Sequence, residues 1–282
     1  MRIITALAAM FAATFAAGPA LAACPPPAQM QAAATGWLAG DRLPDPGVAS
    51  MADAACAYAA FRGGLEAAMG KPVGVKVGFT SKPVQERFGV TEPATGALFA
   101  PMIVADGEAV SLSGSRAPFY EADLIVTVAD PAIMQATTRE QVAAALDEVR
   151  PFIELPDLAM AEGVKPTGPV MASYGVTPWR GVLGEGVKVA ELSDPVANLA
   201  ALTVDLKADG TSVAQGTGDM LLGHPLDVVL WLAGQGGYDL PAGTMISLGS
   251  LSPLTEAAPG IEVSADYLID GKPMRVATRL TE

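Results

Sequence analysis

Two periods of hydrophobicity divide the chain. From Ala28 to Trp37, and again behind Ser50 through Ala55, Tyr58 and Phe61, apolar residues recur at three- and four-residue spacing, which predicts two helices. Gly40 ends the first; Ser50 caps the second, which runs to Gly63-Gly64 or slightly beyond. From Pro72 the period becomes two: Val73, Val75 and Val77 alternate with Gly74, Lys76 and Gly78, a strand that carries Lys76 on the face opposite the valines. A second strand covers about Glu121 to Val128. There Ala122, Leu124, Val126 and Val128 share one face, and Glu121, Asp123, Ile125 and Thr127 the other. Thr138 and Gln141 have capping-box spacing and open a helix to Arg150, ahead of a short strand from Phe152 to Leu155. Asp209-Gly210 and Asp270-Gly271 each separate two alternating segments and mark tight hairpins, and between them Pro225 to Ala233 is an apolar helix stopped by Gly234. The pattern predicts an α+β chain, with a helical N-terminal lead-in over residues 23–71 and a β-rich domain over residues 72–282.

Residues 1–22 stand apart. Met1-Arg2 is a short positive start, Ile3 to Ala17 an apolar run broken by Gly18-Pro19, and Ala20-Leu21-Ala22 the small-x-small pattern that a signal peptidase reads. The expectation is a signal peptide cut before Ala23 and a protein exported to the periplasm. The apolar run is shorter than the roughly 20 residues that a membrane anchor needs, and no later stretch is apolar enough to span a bilayer. Leu21-Ala22-Ala23-Cys24 also matches the box at which lipoproteins are cut and lipidated. Cys24 therefore either carries a lipid anchor or pairs with Cys56, the only other cysteine, and an oxidising compartment favours the disulfide. A formal net charge of -13 argues against nucleic acid and anionic lipid surfaces as partners. An apolar fraction of 51% with 17% charged residues is the make-up of a packed globular domain.

Chemistry concentrates on the second strand. Glu121 and Asp123 project from one face, and two carboxylates that close need protonation, solvent or a cation; alone, the pair also fits a solvated strand face. Glu154 follows inside the apolar run Pro151-Phe152-Ile153-Glu154-Leu155, where an acid is costly unless paired or liganded. Oxygen-only donors of this kind suit Mg²⁺ or Mn²⁺ rather than zinc. Lys76, flanked by glycines, adds an ammonium where a ligand can approach the backbone closely.

Four ordered motifs carry a resemblance: Lys76-Val77-Gly78-Phe79-Thr80-Ser81-Lys82, Tyr120-Glu121-Ala122-Asp123, Ile153-Glu154-Leu155-Pro156-Asp157, and Leu222-Gly223-His224-Pro225-Leu226 with Trp231-Leu232-Ala233. From about Trp37 to the C-terminus the chain resembles the fumarylacetoacetate hydrolase superfamily, in the branch of the 2-keto-4-pentenoate hydratases and 4-oxalocrotonate decarboxylases. The resemblance implies the β-rich fold of that superfamily's C-terminal domain, a mixed β-roll or sandwich, and a homo-oligomer. It implies a divalent metal, Mg²⁺ or Mn²⁺, held by Glu121, Asp123 and Glu154 and chelating the carboxylate and keto oxygen of a small 2-oxo acid. Lys76 becomes the acid/base group, a role that asks for a depressed pKa. Ser81, Lys82, Asp157 and Ser250 fall at positions that line the substrate pocket.

The implied reaction is hydration of a small unsaturated 2-oxo acid such as 2-hydroxypenta-2,4-dienoate. Decarboxylation or C-C hydrolysis on the same scaffold is the alternative among enzymes, and an exported binder of a 2-oxo acid or metal is the alternative from another class. The family mostly serves cytoplasmic breakdown of aromatic compounds. Two departures stand out. Asp123 is one methylene shorter than the family's glutamate, and Ala94-Thr95 stands where the family places an aspartate before the glycine that matches Gly96. Glu92 is the nearby carboxylate that could take that aspartate's catalytic place.

Overall fold

The computed structural model describes residues 23–282, so the expected signal peptide, residues 1–22, lies outside the described residues. Two helices lead in, α1 (Pro27–Leu38) and α2 (Met51–Met69). Ser50 caps α2 in a full capping box: its side chain accepts from the Asp53 N–H while the Asp53 carboxylate accepts from the Ser50 N–H. The pair Gly63-Gly64 does not stop α2. A Cβ on Gly64 would stand 2.7 Å from the Ala34 Cβ, so this glycine lets α1 and α2 cross at close range. A disulfide joins Cys24 to Cys56 on α2, with Cα atoms 5.7 Å apart, and leaves Cys24 no thiol to carry a lipid.

The strands, in chain order, are β1 (Gly74–Gly78), β2 (Ala94–Leu98), β3 (Ile103–Ala105), β4 (Val110–Ser111), β5 (Phe119–Val128), β6 (Leu146–Pro156) and β7 (Pro178–Leu183). They continue with β8 (Val187–Lys188), β9 (Thr203–Ala208), β10 (Thr211–Thr217), β11 (Met245–Ser250), β12 (Thr255–Glu256), β13 (Glu262–Ile269) and β14 (Lys272–Thr281). A nine-stranded sheet runs in the order β2-β1-β11-β5-β6-β7-β3, with β12 on β5 and β8 on β6, and a five-stranded sheet in the order β10-β9-β13-β14-β4. Asp209-Gly210 and Asp270-Gly271 turn the β9/β10 and β13/β14 hairpins with positive φ at both residues, as the Asp-Gly signal requires. This is the α+β, β-rich fold the sequence predicts.

One apolar core runs through both sheets and the helical lead-in, from Met30, Trp37 and Phe61 to Leu124, Ile153 and Val276. Each such side chain contributes about 1.5–3 kcal/mol by leaving water. Tyr267 on β13 ties the small sheet to the large one: its hydroxyl donates to the Asp123 carbonyl at 2.6 Å and lies 3.1 Å from the Phe152 carbonyl.

Two helix boundaries differ from the sequence expectation. The helix begun at Thr138 covers only Arg139–Ala144, and β6 starts at Leu146, absorbing the expected strand from Phe152 to Leu155. Val149 pairs with Val126 of β5, so sheet pairing takes residues that local spacing assigned to a helix. Thr138 caps this helix as expected, its hydroxyl accepting from the Gln141 N–H, but the Gln141 side chain accepts in return from the Thr137 N–H rather than from that of Thr138. The helix Pro225–Gln235 runs through Gly234 and ends at Gly236, whose φ is +66°.

Candidate active site

Antiparallel pairing sets Glu121 of β5 directly opposite Glu154 of β6, and Asp123 is on the Glu121 face one pleat further along β5. Lys76 enters from β1, three strands from β6 in sheet order, a span of about 14 Å in a flat sheet and beyond the reach of a lysine. The large sheet is curled enough to close that gap, and Lys76 Nζ makes an ion pair and hydrogen bond with Glu154 Oε2. The chain path beside the pair is strained: Phe79, Val176 and Thr177 line the same cavity and all have φ near +60°. Such conformations in bulky and β-branched residues cost of order 1–3 kcal/mol each and cluster at functional sites.

The four groups are buried together: Lys76 is 3% exposed, Glu121 8%, Asp123 0% and Glu154 2%. Burial, and then the neighbouring Glu154 charge, push the Glu121 carboxyl well above the ordinary glutamate value. The same two causes push Asp123 up to about 7, against the pull of Lys76. Burial alone would lower the Lys76 ammonium, but Glu154, Glu121 and Asp123 outweigh it and hold the lysine charged. That is the opposite direction from the depressed pKa its family role asks for.

The carboxylates are satisfied unequally. Asp123 Oδ2 accepts from the Ser247 hydroxyl at 2.7 Å, and Oδ1 accepts from the Gly249 and Leu124 N–H groups. Gly249 sits at the bulge in β11 with φ +101°, and a Cβ there would collide with the Thr80 hydroxyl, so only glycine brings this donor to Asp123. Glu154 Oε1, by contrast, is buried with no partner among the described residues. With Asp123 turned to Ser247 and Glu154 to Lys76, no group of three His, Cys, Asp or Glu side chains among the described residues is gathered to hold a metal ion. The expected set Glu121, Asp123 and Glu154 therefore shares a face without forming a closed ligand shell. Its chemistry still fits a hard divalent cation: three buried carboxylates face one ammonium, every donor is oxygen, and one oxygen is orphaned.

A cavity of about 470 Å³ opens onto Lys76 and Glu121. Its polar end also includes Ser81 and Ser250, as expected, and its walls include Phe79, Val84, Phe88, Leu158, Met171 and Leu254. Three expected site residues are elsewhere. Glu92 is exposed and lines a separate hollow with Tyr58, Arg62 and Tyr238, because it precedes β2, whose Ala94 already lies beyond the end of Lys76's pairing with Gly96. Thr95, at the family's aspartate position, accepts a hydrogen bond from Tyr238 at 2.6 Å. Lys82 is exposed at the start of α3 (Lys82–Phe88) and does not line the cavity. Asp157 is fully buried and holds the Ser115–Ala117 turn: its Oδ1 accepts from the Ser115 hydroxyl and from the Arg116 and Ala117 N–H groups. Its side chain is committed to that turn and does not line the cavity, nor do those of Asp123 and Glu154.

Sequence reasoning missed Arg87, which does line the cavity. The signal was available in Val84 and Phe88, an i,i+4 apolar pair on α3 whose face brings the exposed Pro83 and Arg87 to the rim of the cavity with it. His224, the single histidine, is held by the chain itself: Nδ1 accepts from the Leu226 N–H at 3.0 Å and Nε2 donates to the Val196 carbonyl at 2.9 Å.

No protein-family model matches the chain. Among curated proteins it is 34% identical over 215 residues to 2-hydroxyhexa-2,4-dienoate hydratase of Comamonas testosteroni, covering 73% of this chain and 77% of the relative. It is 34% identical over 194 residues to 2-keto-4-pentenoate hydratase of Paraburkholderia xenovorans, covering 67% of this chain and 69% of the relative. Among solved structures, 4-oxalocrotonate decarboxylase of Pseudomonas putida G7, in complex with magnesium and adipate, superposes with a TM-score of 0.77 at 27% identity, covering 90% of this chain and 96% of that one. These relatives correct the expectation of a periplasmic protein: the homologous hydratases are cytoplasmic catabolic enzymes, and the segment behind the export reading lies outside the described residues. The motifs, the curled sheet that gathers them and these likenesses agree that the chain belongs to the 2-keto-4-pentenoate hydratase branch of the fumarylacetoacetate hydrolase superfamily and is a carbon-oxygen lyase.

Proposed function

We propose that the chain is a divalent-metal-dependent hydratase of small unsaturated 2-oxo acids, for which 2-hydroxypenta-2,4-dienoate is the simplest test substrate. The observation that carries this reading is the buried Lys76–Glu154 pair, with its orphaned glutamate oxygen, whose lysine lines a largely apolar cavity together with Glu121. Glu121 and Glu154 are the carboxylates that would hold Mg²⁺ or Mn²⁺, and Asp123 would join them only by giving up its bond from Ser247. The bound ion supplies Lewis-acid polarisation of the substrate's keto and carboxylate oxygens.

The chain's own residues do the rest. As an ammonium, Lys76 donates a proton to C5 of the dienol while the 2-hydroxyl gives up its proton to solvent, leaving a C3=C4 double bond conjugated to the keto group; as the resulting amine it takes a proton from the water whose oxygen adds at C4, and C3 takes a proton from solvent. Glu121 and Glu154, if they held a cation, would bear less of their charge on Lys76, which would make its return to the amine accessible. Ser81 and Ser250 offer hydroxyl donors at the polar end, and the apolar wall excludes bulk water from the unsaturated chain.

The test is loss of dienol absorbance when purified protein is incubated with 2-hydroxypenta-2,4-dienoate and Mg²⁺ or Mn²⁺. Turnover that disappears with chelator supports the proposal. Retained metal-dependent binding without turnover would replace it with a binding role. Decarboxylation is the second reading, favoured by the likeness to the decarboxylase. Carbon dioxide release from a 2-oxo dicarboxylate under the same conditions identifies it.

A further inference from the structure

The cavity lining carries one more cationic side chain, Arg87, to which the hydratase reading gives no task. Of its lining residues only Lys76, Glu121 and Arg87 carry ionisable charge, and Lys76 is committed to Glu154. Among the described residues no carboxylate pairs with Arg87 and no hydrogen bond engages its guanidinium. The group is nevertheless held: it lies over the Phe88 ring, 5.4 Å from the centroid, and Phe88 is braced in turn by Phe79 at 5.5 Å. Both rings line the cavity. In a protein of net charge -13, an unpaired guanidinium set against an aromatic wall of the active cavity presents a fork of donors matched to a carboxylate.

We infer that Arg87 is a specificity-determining residue that binds the distal carboxylate of the substrate, so that the site takes 2-oxo dicarboxylates in preference to 2-oxo monocarboxylates. The inference rests on the 2-oxo acid reading of the Lys76 end and adds the chemistry of the far end. A monocarboxylate would put a hydrocarbon terminus beside Arg87 and leave the guanidinium to solvent. A dicarboxylate meets it with a charge-assisted hydrogen bond. The apolar part of the lining, with Val84, Leu158 and Met171, suits the carbon chain that joins two carboxylates.

Two six-carbon ligands that differ only at the far end test this: 2-oxoadipate and 2-oxohexanoate, titrated calorimetrically into the Mg²⁺-loaded protein. The expected result is binding of 2-oxoadipate at least about tenfold tighter than 2-oxohexanoate. Arg87→Met should remove most of that ratio and Arg87→Lys should keep part of it. Arg87 is exposed on α3, so neither variant threatens folding. Equal affinities in the wild type, or a preference for 2-oxoadipate that survives Arg87→Met, would overturn the role of Arg87 while leaving the 2-oxo acid reading intact. Failure of both ligands to bind the metal-loaded protein would overturn both.

Discussion

Glu154 and Asp157 stand one at the end of β6 and one just past it, both buried, and the chain treats them in opposite ways. Asp157 is met by a hydroxyl and two backbone N–H groups from Ser115–Ala117, with Arg116 Nη1 at 3.6 Å from its other oxygen. Glu154 is met by Lys76 alone and keeps an oxygen that nothing satisfies. An acid with one oxygen met three times by its own turn, and the other left only the Arg116 guanidinium at 3.6 Å, stabilises the fold. An acid left open, opposite a second glutamate and paired with a lysine that lines a cavity, stores a desolvation cost that a ligand relieves.

The largest expected effect divides the two residues by activity. Glu154→Gln should lower kcat/KM for the dienol about 10³-fold, within the range for losing a group that sets proton transfer, while the chain remains folded. Asp157→Asn should instead lower folding stability by about 3 kcal/mol, because it breaks a buried charged network, and leave kcat/KM within about threefold. Denaturant titration and steady-state rates on both variants check this. Activity retained in Glu154→Gln would break the comparison.

A smaller effect concerns the Cys24–Cys56 link. The denatured, unreduced protein should show no free thiol, and Cys56→Ser should lower stability by about 2 kcal/mol or more through restored loop entropy. Metal affinity sharpens the original contrast: Mn²⁺ binding followed by calorimetry should weaken about tenfold or more in Glu154→Ala and stay unchanged in Asp157→Asn.

The smallest effect belongs to His224, another group satisfied entirely by the chain. Burial holds its pKa below the ordinary 6.5, so its contribution to stability is fully present above that value and is lost as pH falls through the lower folded value. Protonation places a hydrogen on Nδ1, the atom that accepts from the Leu226 N–H at the helix start. Because this is the chain's single histidine, one NMR titration reads its pKa directly. A value above 6.5 would contradict the buried, doubly bonded ring.

Much of this was legible from residue patterns. Period-two alternation placed Glu121 and Asp123 on one face of β5, Asp-Gly pairs located both hairpins, and Ser50 marked the start of α2. Other readings failed for nonlocal reasons. The residues after Ala144 became strand because β5 offered them pairing partners, and Gly64 stayed helical because Ala34 packs against it. Glu92 and Lys82 lie in the right stretch of sequence yet face away from the cavity, and Arg87 was passed over although Val84 and Phe88 gave away its face.

The sequence by itself determined the chemical inventory: a lysine on a glycine-flanked strand, three acids on two strands, and motifs ordered as in a hydratase family. Those are matters of side-chain chemistry and local periodicity, written within a few residues of one another. Only the tertiary structure decided which groups meet. The curl of the sheet carries Lys76 across three strands to Glu154, the Gly249 bulge turns Asp123 toward Ser247 and the Gly249 N–H, and α3 brings Arg87 to the cavity. Each of these depends on strand order and backbone curvature, which are set by packing between residues far apart in the chain.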